Sequence, residues 1–296
     1  MAEQEAPLKT YRGNCHCAAF VYEITLPEIK QVTECNCSIC YKKGAIFVFP
    51  KPSDVKFVKG DPSTLAHYNF NTNKFTHEFC PTCGVSLMIV GHLTPEKEGK
   101  KPENGFNVRT FQRGQVDLWT FDIKTFDGNA TPSPYEAPKF TGPEPTGEVE
   151  GGKLYTGSCH CGVVTVALKS KPLNKDFQGL TECNCSSCSR YGAVWSYQPH
   201  AQVVVEGKEN LGLYLFNKRA AKKRFCKICG VPVCQETVQF SEDEVAQMNE
   251  NMKKWYVGAK DLTSLNLRVI HGLNVRDLNP KRFDGYNFIP PQYVEP

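Results

Sequence analysis

The chain has 296 residues, 40% of them hydrophobic and 22% charged, with a net charge of +4. Such a chain is long enough for about two domains with real cores. The charge is too small to imply a nucleic-acid partner, and no stretch approaches the ~20 apolar residues of a membrane span.

Fifteen cysteines is the outlying count. The first residues, MAEQEAPLKT, lack the apolar core of a secretory leader, so the expected compartment is the cytoplasm or the nucleus. There, an odd number of thiols reads as metal binding rather than as a disulfide framework.

In chain order, YRGNCHC brings Cys15 and Cys17, followed by a strand whose Phe20, Tyr22 and Ile24 share one face. ECNCSIC then packs Cys35, Cys37 and Cys40 into six residues, with the apolar run AIFVF after it. CPTCG supplies Cys80 and Cys83, SLMIV follows, and NVR (Asn107 to Arg109) and FDG (from Phe126) close the series. The stretch 129–152, rich in proline and glycine, reads as a linker.

The series then restarts. YTGSCHC carries Cys159 and Cys161, and Val164, Val166 and Leu168 alternate after it. ECNCSSC carries Cys183, Cys185 and Cys188, CKICG carries Cys226 and Cys229, and NLR and a second FDG follow. Only Cys234 is left over, at the position of Met88, and reads as a small core residue. A repeat of this length implies two domains of one fold, 8–128 and 153–288, joined by the linker 129–152. Short alternating runs between turn residues predict a mainly β fold of two zinc-binding domains built from small antiparallel sheets. One segment departs from this. SEDEVAQMNENMKKW starts with a capping box, Ser241 with Glu244, and puts Val245, Met248, Met252 and Trp255 on one helical face, predicting a helix inserted in the second copy only. The tail YNFIPPQYVEP is expected to lie along a surface or fray.

Each copy thus has an early C-x-C, a C-x-C-x-x-C and a late C-x-x-C-G. The last is a zinc knuckle whose turn aims two sulfurs at one point. Zinc takes four ligands, so a C-x-C must complete the site, and the two C-x-C units could exchange that role. Under either assignment seven thiols divide as four and three. Four thiolates make a closed structural site; three leave an open position. A zinc with three thiolates has net charge −1 and is a weak Lewis acid toward water or a carbonyl. It suits holding a fourth, substrate thiolate that stays nucleophilic. A buried free seventh thiol, a fourth ligand other than sulfur, or thiol–disulfide chemistry at the C-x-x-C are the competing readings.

G-x-C-x-C, then C-x-C-S-x-C, then F-C-x-x-C-G with N-x-R downstream resembles the glutathione-dependent formaldehyde-activating family, which includes the centromere protein V domain. The resemblance runs over nearly the whole chain, twice, whereas a simple member has one domain. It implies closed zinc sites at Cys15, Cys17, Cys80 and Cys83 and at Cys159, Cys161, Cys226 and Cys229. It implies open, catalytic zinc sites at Cys35, Cys37 and Cys40 and at Cys183, Cys185 and Cys188. The implied reaction is a carbon–sulfur lyase chemistry that joins glutathione, as co-substrate, to formaldehyde. Glutathione has two carboxylates, and Lys42, Lys43, Arg109, Arg190 and Arg268 are the candidate partners for them. His77 is a candidate for proton transfer or simply an exposed strand residue. The alternative function is a non-enzymatic zinc module with a chromatin or protein partner, supported by the basic run NKRAAKKRFCK and expected there to be a solvated face. The expected partner is a small-molecule thiol, with no membrane or nucleic acid; the sequence does not fix an oligomeric state.

Overall fold

The computed structural model describes residues 6–70, 74–92, 103–130 and 134–296. The first repeat contains β1 (Leu8–Asn14), β2 (Val21–Pro27), β3 (Gln31–Cys35), helix α1 (Ser38–Lys43), β4 (Ile46–Val48) and β5 (Val55–Lys59). It continues with β6 (Ala66–Tyr68), β7 (Phe75–Phe79), β8 (Ser86–Gly91), β9 (Gly105–Asn107) and β10 (Asp122–Phe126). The second repeat runs β11 (Lys153–Ser158), β12 (Thr165–Ser170), β13 (Leu180–Cys183), α2 (Ser186–Tyr191), β14 (Val194–Pro199) and β15 (Val203–Glu206). Then come β16 (Leu211–Tyr214), β17 (Ala221–Cys226), β18 (Pro232–Thr237), α3 (Glu242–Ala246), α4 (Glu250–Ala259), β19 (Leu262–Asn266), β20 (Lys281–Phe283) and α5 (Gly285–Phe288).

The protein is mainly β, with four sheets in two repeated units among the described residues. A three-stranded sheet β1–β2–β5 accompanies a seven-stranded one in the order β10–β3–β4–β9–β8–β7–β6. The second repeat has the same pair, β11–β12–β15 and β20–β13–β14–β19–β18–β17–β16. The large sheets are not wholly antiparallel. The FDG strands β10 and β20 join at the edge parallel to β3 and β13, which carry the chain straight into the three-cysteine segments.

The α3–α4 insertion has the capping box of Ser241 and Glu244, but it is two helices. A second N-cap, Asn249, accepts from Met252 N and restarts the helix. The restart rotates the packed face. Tyr256 is the buried residue, while Trp255 is 42% exposed and Val245, Met248 and Met252 are half-buried. The corresponding part of the first repeat, 93–102, lies outside the described residues.

Each core takes in a segment of the other repeat. Ile39, Cys40, Ala45 and Phe47 of the first repeat pack in the core of the second. Cys183, Cys188, Tyr191, Ala193 and Trp195 of the second pack in the core of the first. The crossing point is a pair of helix C-caps. Gly44 and Gly192 end α1 and α2 in the left-handed conformation, at φ 57° and 58°, which an ordinary side chain adopts only at a cost. They meet back to back, and a Cβ on Gly44 would lie 2.3 Å from Gly192 O. Arg109 Nε donates to Gly44 O at 2.5 Å and Arg268 Nε to Gly192 O at 2.7 Å. These two bonds satisfy carbonyls that a helix end otherwise leaves bare.

The tail docks instead of fraying, and Tyr135, in the stretch between the repeats, makes the matching contact. Tyr293 Oη donates to His16 O at 2.8 Å and its ring stacks on the His16 ring at 4.6 Å. Tyr135 Oη donates to His160 O at 2.7 Å and stacks on His160 at 4.4 Å. No helix among the described residues is long and apolar enough to cross a membrane.

Candidate metal centres

Fourteen cysteines form four clusters, each with its sulfurs within 4.8 Å of one another: Cys15–Cys17–Cys80–Cys83, Cys159–Cys161–Cys226–Cys229, Cys35–Cys37–Cys40 and Cys183–Cys185–Cys188. The two C-x-C units therefore do not exchange roles; the early one pairs with the knuckle. In the four-thiol clusters Cys15 Sγ is 3.6 Å from Cys17 Sγ, Cys17 Sγ is 3.5 Å from Cys80 Sγ, and Cys161 Sγ is 3.6 Å from Cys226 Sγ. Four sulfurs on ~2.3 Å bonds to one tetrahedral zinc stand ~3.8 Å apart, so the donor set fits that ion. Each knuckle is also an inter-repeat contact: the Phe225 ring lies on Gly84 and the Phe79 ring on Gly230. Cys234 belongs to none of the clusters; it is buried in the core, where burial pushes its thiol up to about 12.

The three-thiol clusters sit where β3 and β13 turn into α1 and α2. Cys37 and Cys185 are the N-caps of these six-residue helices, and Cys40 and Cys188 come one turn later, so helical spacing closes the triangle. The Asn between the first two cysteines clips the edge loop. Asn36 Nδ2 donates to Asp127 Oδ1 and Asn184 Nδ2 to Asp284 Oδ1, both at 2.9 Å. The FDG glycines follow, and a Cβ on Gly128 or Gly285 would lie 2.4 Å from the sulfur of Cys35 or Cys183. Only glycine allows the loop to close over the thiols.

The surroundings of the two three-thiol clusters differ. Trp195 Nε1 donates to Cys188 Sγ at 3.3 Å and Lys223 Nζ donates to it at 3.5 Å. Cys188 is held well below the ordinary thiol value, first by hydrogen bonds from Cys183 and Cys185, then by the Lys223 charge and the indole N–H, against the opposing effect of burial. In the first cluster the lowered thiol is Cys35, to about 3, chiefly through hydrogen bonds from Cys37 and Cys40. Phe47 and His77 stand where the second repeat has Trp195 and Lys223.

His77 is not exposed. It is buried, its Nδ1 has no partner among the described residues, and burial holds it well below its usual value. Nor is Lys223 part of a solvated face: it lies inside β17, 5% exposed, bonded to Gln235 Oε1. The basic run thus loses its central charge to the interior.

The five cationic candidates lie at the junction of the repeats. Lys42 Nζ donates to Ser158 O at 3.0 Å and Val269 O at 3.2 Å. Arg190 Nε donates to Asn14 O at 3.0 Å, and Arg190 Nη2 donates to Glu295 Oε2 at 2.7 Å. Lys43 is buried, its Nζ 5.0 Å over the Phe79 ring; burial lowers Lys42 and Lys43 to about 8. Arg109 and Arg268 each line a cleft shared with the other repeat. Arg109 lines a cleft with Cys183 and Cys188, and Arg268 lines the cleft beside Asn36 and Ser38.

The C-H-C histidines carry no sequence signal of function, yet they span the same junction. His16 Nε2 pairs with Ser186 Oγ at 3.0 Å and Nδ1 with Tyr214 Oη at 2.8 Å. His160 pairs with Ser38 Oγ and Tyr68 Oη, both at 2.9 Å. Each ties its own four-thiol cluster to the serine that follows the second cysteine of the other repeat's three-thiol cluster.

Among solved structures, a crystal structure of a Rhodobacter sphaeroides protein is 28% identical over 41% of this chain and 93% of its own, with a TM-score of 0.31. A family model described as glutathione-dependent formaldehyde-activating enzyme matches residues 10–102 and again 154–253. The chain belongs to the glutathione-dependent formaldehyde-activating enzyme family, as a tandem member with the family pattern in both repeats.

Proposed function

We propose that the protein is a zinc-dependent enzyme of carbon–sulfur lyase type that joins glutathione to a small electrophile such as formaldehyde, giving S-hydroxymethylglutathione. The observation that carries this reading is the division of the thiols into closed sets of four and separate sets of three. On this reading the sets belong to two domains, 8–128 and 153–288, joined by 129–152. Zinc, when bound to three thiolates, supplies a fourth position that keeps a substrate thiol ionised at neutral pH.

The chain's own residues do the rest. Cys183, Cys185 and Cys188 are the reactive-site ligands of the second repeat, as Cys35, Cys37 and Cys40 are of the first. Lys223 and Trp195 draw charge from Cys188 through their N–H groups. Asn184 and Asp284 hold Gly285 against Cys183, keeping one side of the site closed. In the reaction the glutathione sulfur forms a bond to the formaldehyde carbon, the carbonyl π pair moves to oxygen, and the thiol proton ends on that oxygen.

The test is exchange between free formaldehyde and S-hydroxymethylglutathione, followed with carbon-13 formaldehyde by magnetization-transfer NMR. The expected result is exchange far more than ~10-fold faster than in buffer, since enzymes ordinarily reach ~10⁶-fold or more, with the gain lost when Cys37 and Cys185 are both replaced by Ser. An exchange rate equal to that in buffer, with zinc fully loaded, would sink the proposal.

A further inference from the structure

We propose that the cleft beside the first three-thiol cluster is a carboxylate site, where Lys42 and Arg268 take an acidic group of the thiol substrate, and that at the second cleft the chain's own Glu295 fills that place. The inference rests on the thiol-binding reading above and adds which copy selects an anionic thiol, and through which residues.

The two clefts correspond through the arms that reach them. YEAP (135–138) and YVEP (293–296) share their Tyr and Pro, and each tyrosine stacks on the C-H-C histidine of a four-thiol cluster. Ala137 therefore corresponds to Glu295, and each lines its own cleft. The buried cations beneath them correspond as well. Arg190 Nε donates to Asn14 O and Lys42 Nζ to Ser158 O, both at 3.0 Å, and the side chains are 2% and 4% exposed. Arg190 has a counter-ion, since its Nη2 donates to Glu295 Oε2 at 2.7 Å. Lys42 has Ala137 in that position. Its ammonium gives two of its three N–H groups to carbonyls, of Ser158 and Val269. A buried ammonium without a carboxylate is costly, and an acidic ligand relieves that cost.

The rest of the lining has the same bias. Among the described residues the first cleft has three cations against one carboxylate, a net +2, and the second has three against four, a net −1. Besides Glu295 against Ala137, the difference comes from Asp117 standing where the first cleft has Arg276. Arg276 pairs with Glu34, which leaves Lys42 and Arg268 as the cations without a carboxylate; Arg268 is 6% exposed and gives its Nε to Gly192 O. At the second cleft Arg282, outside the lining, pairs with Glu182 at 4.0 Å and brings the balance only to neutral. Both clefts are bridged between the repeats, the first by Arg276 with Glu34 and the second by Arg113 with Asn287, so charge and not access separates them. The first cleft holds about 550 Å³, within the ~300–1,000 Å³ of small-ligand sites. Asn36 and Ser38, on either side of Cys37, line it, so a molecule held at Lys42 lies beside that cluster.

The test is calorimetric titration of the full-length, zinc-loaded chain with three probes. They are glutathione, S-methylglutathione, which keeps both carboxylates and has no free thiol, and glutathione diethyl ester, which keeps the thiol and has no carboxylate. The unaltered protein should take one equivalent of S-methylglutathione at low ionic strength and lose affinity for it as salt is added. Ala137→Glu, which gives Lys42 the counter-ion that Arg190 has, should weaken that binding at least tenfold, and Lys42→Gln should do the same. Glu295→Ala should add a second equivalent, a gain that misfolding cannot produce. No binding of S-methylglutathione, two equivalents in the unaltered protein, binding indifferent to Ala137→Glu, or no gain from Glu295→Ala would each overturn the proposal. If S-methylglutathione obeys these substitutions while glutathione binds no more tightly than it does, the carboxylate site stands and the thiol reading fails. If glutathione and its diethyl ester bind equally well, the thiol reading stands and the carboxylate site fails.

Discussion

Cys80→Ser is expected to abolish cooperative folding of the whole chain, whereas Cys37→Ser leaves it folded. Cys80 is fully buried in a closed set of four sulfurs. A structural zinc of this kind binds with an apparent ~10–16 kcal/mol, as much as the entire ~5–15 kcal/mol stability of a domain. The damage should spread, because the knuckle is a contact between repeats: Tyr191 donates to Cys83 O at 2.5 Å and Phe225 packs on Gly84. Cys37 is a half-buried helix N-cap in a set of three. Urea titration followed by near-UV circular dichroism checks both variants. Equal loss of stability in the two would break the division into structural and reactive sites.

Gly192→Ala should cost about 2–5 kcal/mol, the left-handed backbone contributing about 1–2 kcal/mol and forced overpacking about 1–3 kcal/mol. The added Cβ would fall 2.6 Å from Gly44 O and 2.9 Å from Arg109 Nε. Both neighbours are fixed, one a backbone carbonyl and the other an arginine bonded to it. Gly258→Ala is the control. That residue lies within α4, and its Cβ would meet nothing within 4 Å, so the substitution should be neutral or slightly stabilising. Thermal melting of the two variants decides; equal melting temperatures would mean that the crossing of the repeats is not where stability is concentrated.

The duplication, the β class and the cysteine inventory were legible because metal spacing and alternation are local patterns. The helix at each C-x-C-x-x-C was also locally available: Cys37 and Cys40 are three apart, as helical neighbours are. The burial of Lys223 and His77 could have been read from strand alternation, since Lys223 shares a face with Phe225 and His77 with Phe79. Treating NKRAAKKRFCK as one charge run concealed that period. The crossing of the repeats was not legible. The partner of His16 is Ser186, and Arg109 serves a cleft floored by Cys183 and Cys188; nothing near either residue in sequence marks a partner in the other copy. The Asn of C-N-C and the glycine of FDG were visible as repeated letters, but their reason, a loop clipped against a sulfur, needs the parallel pairing of β10 with β3 and of β20 with β13.

The most direct test of the account is the zinc content of the full-length protein beside that of the double variant Cys37→Ser, Cys185→Ser, each measured by mass spectrometry of the metal after removal of loosely bound ions. One ion per cysteine cluster predicts about four zincs in the unaltered chain and about two in the variant, with the same melting profile. About two zincs in both, unchanged by added metal, would contradict it.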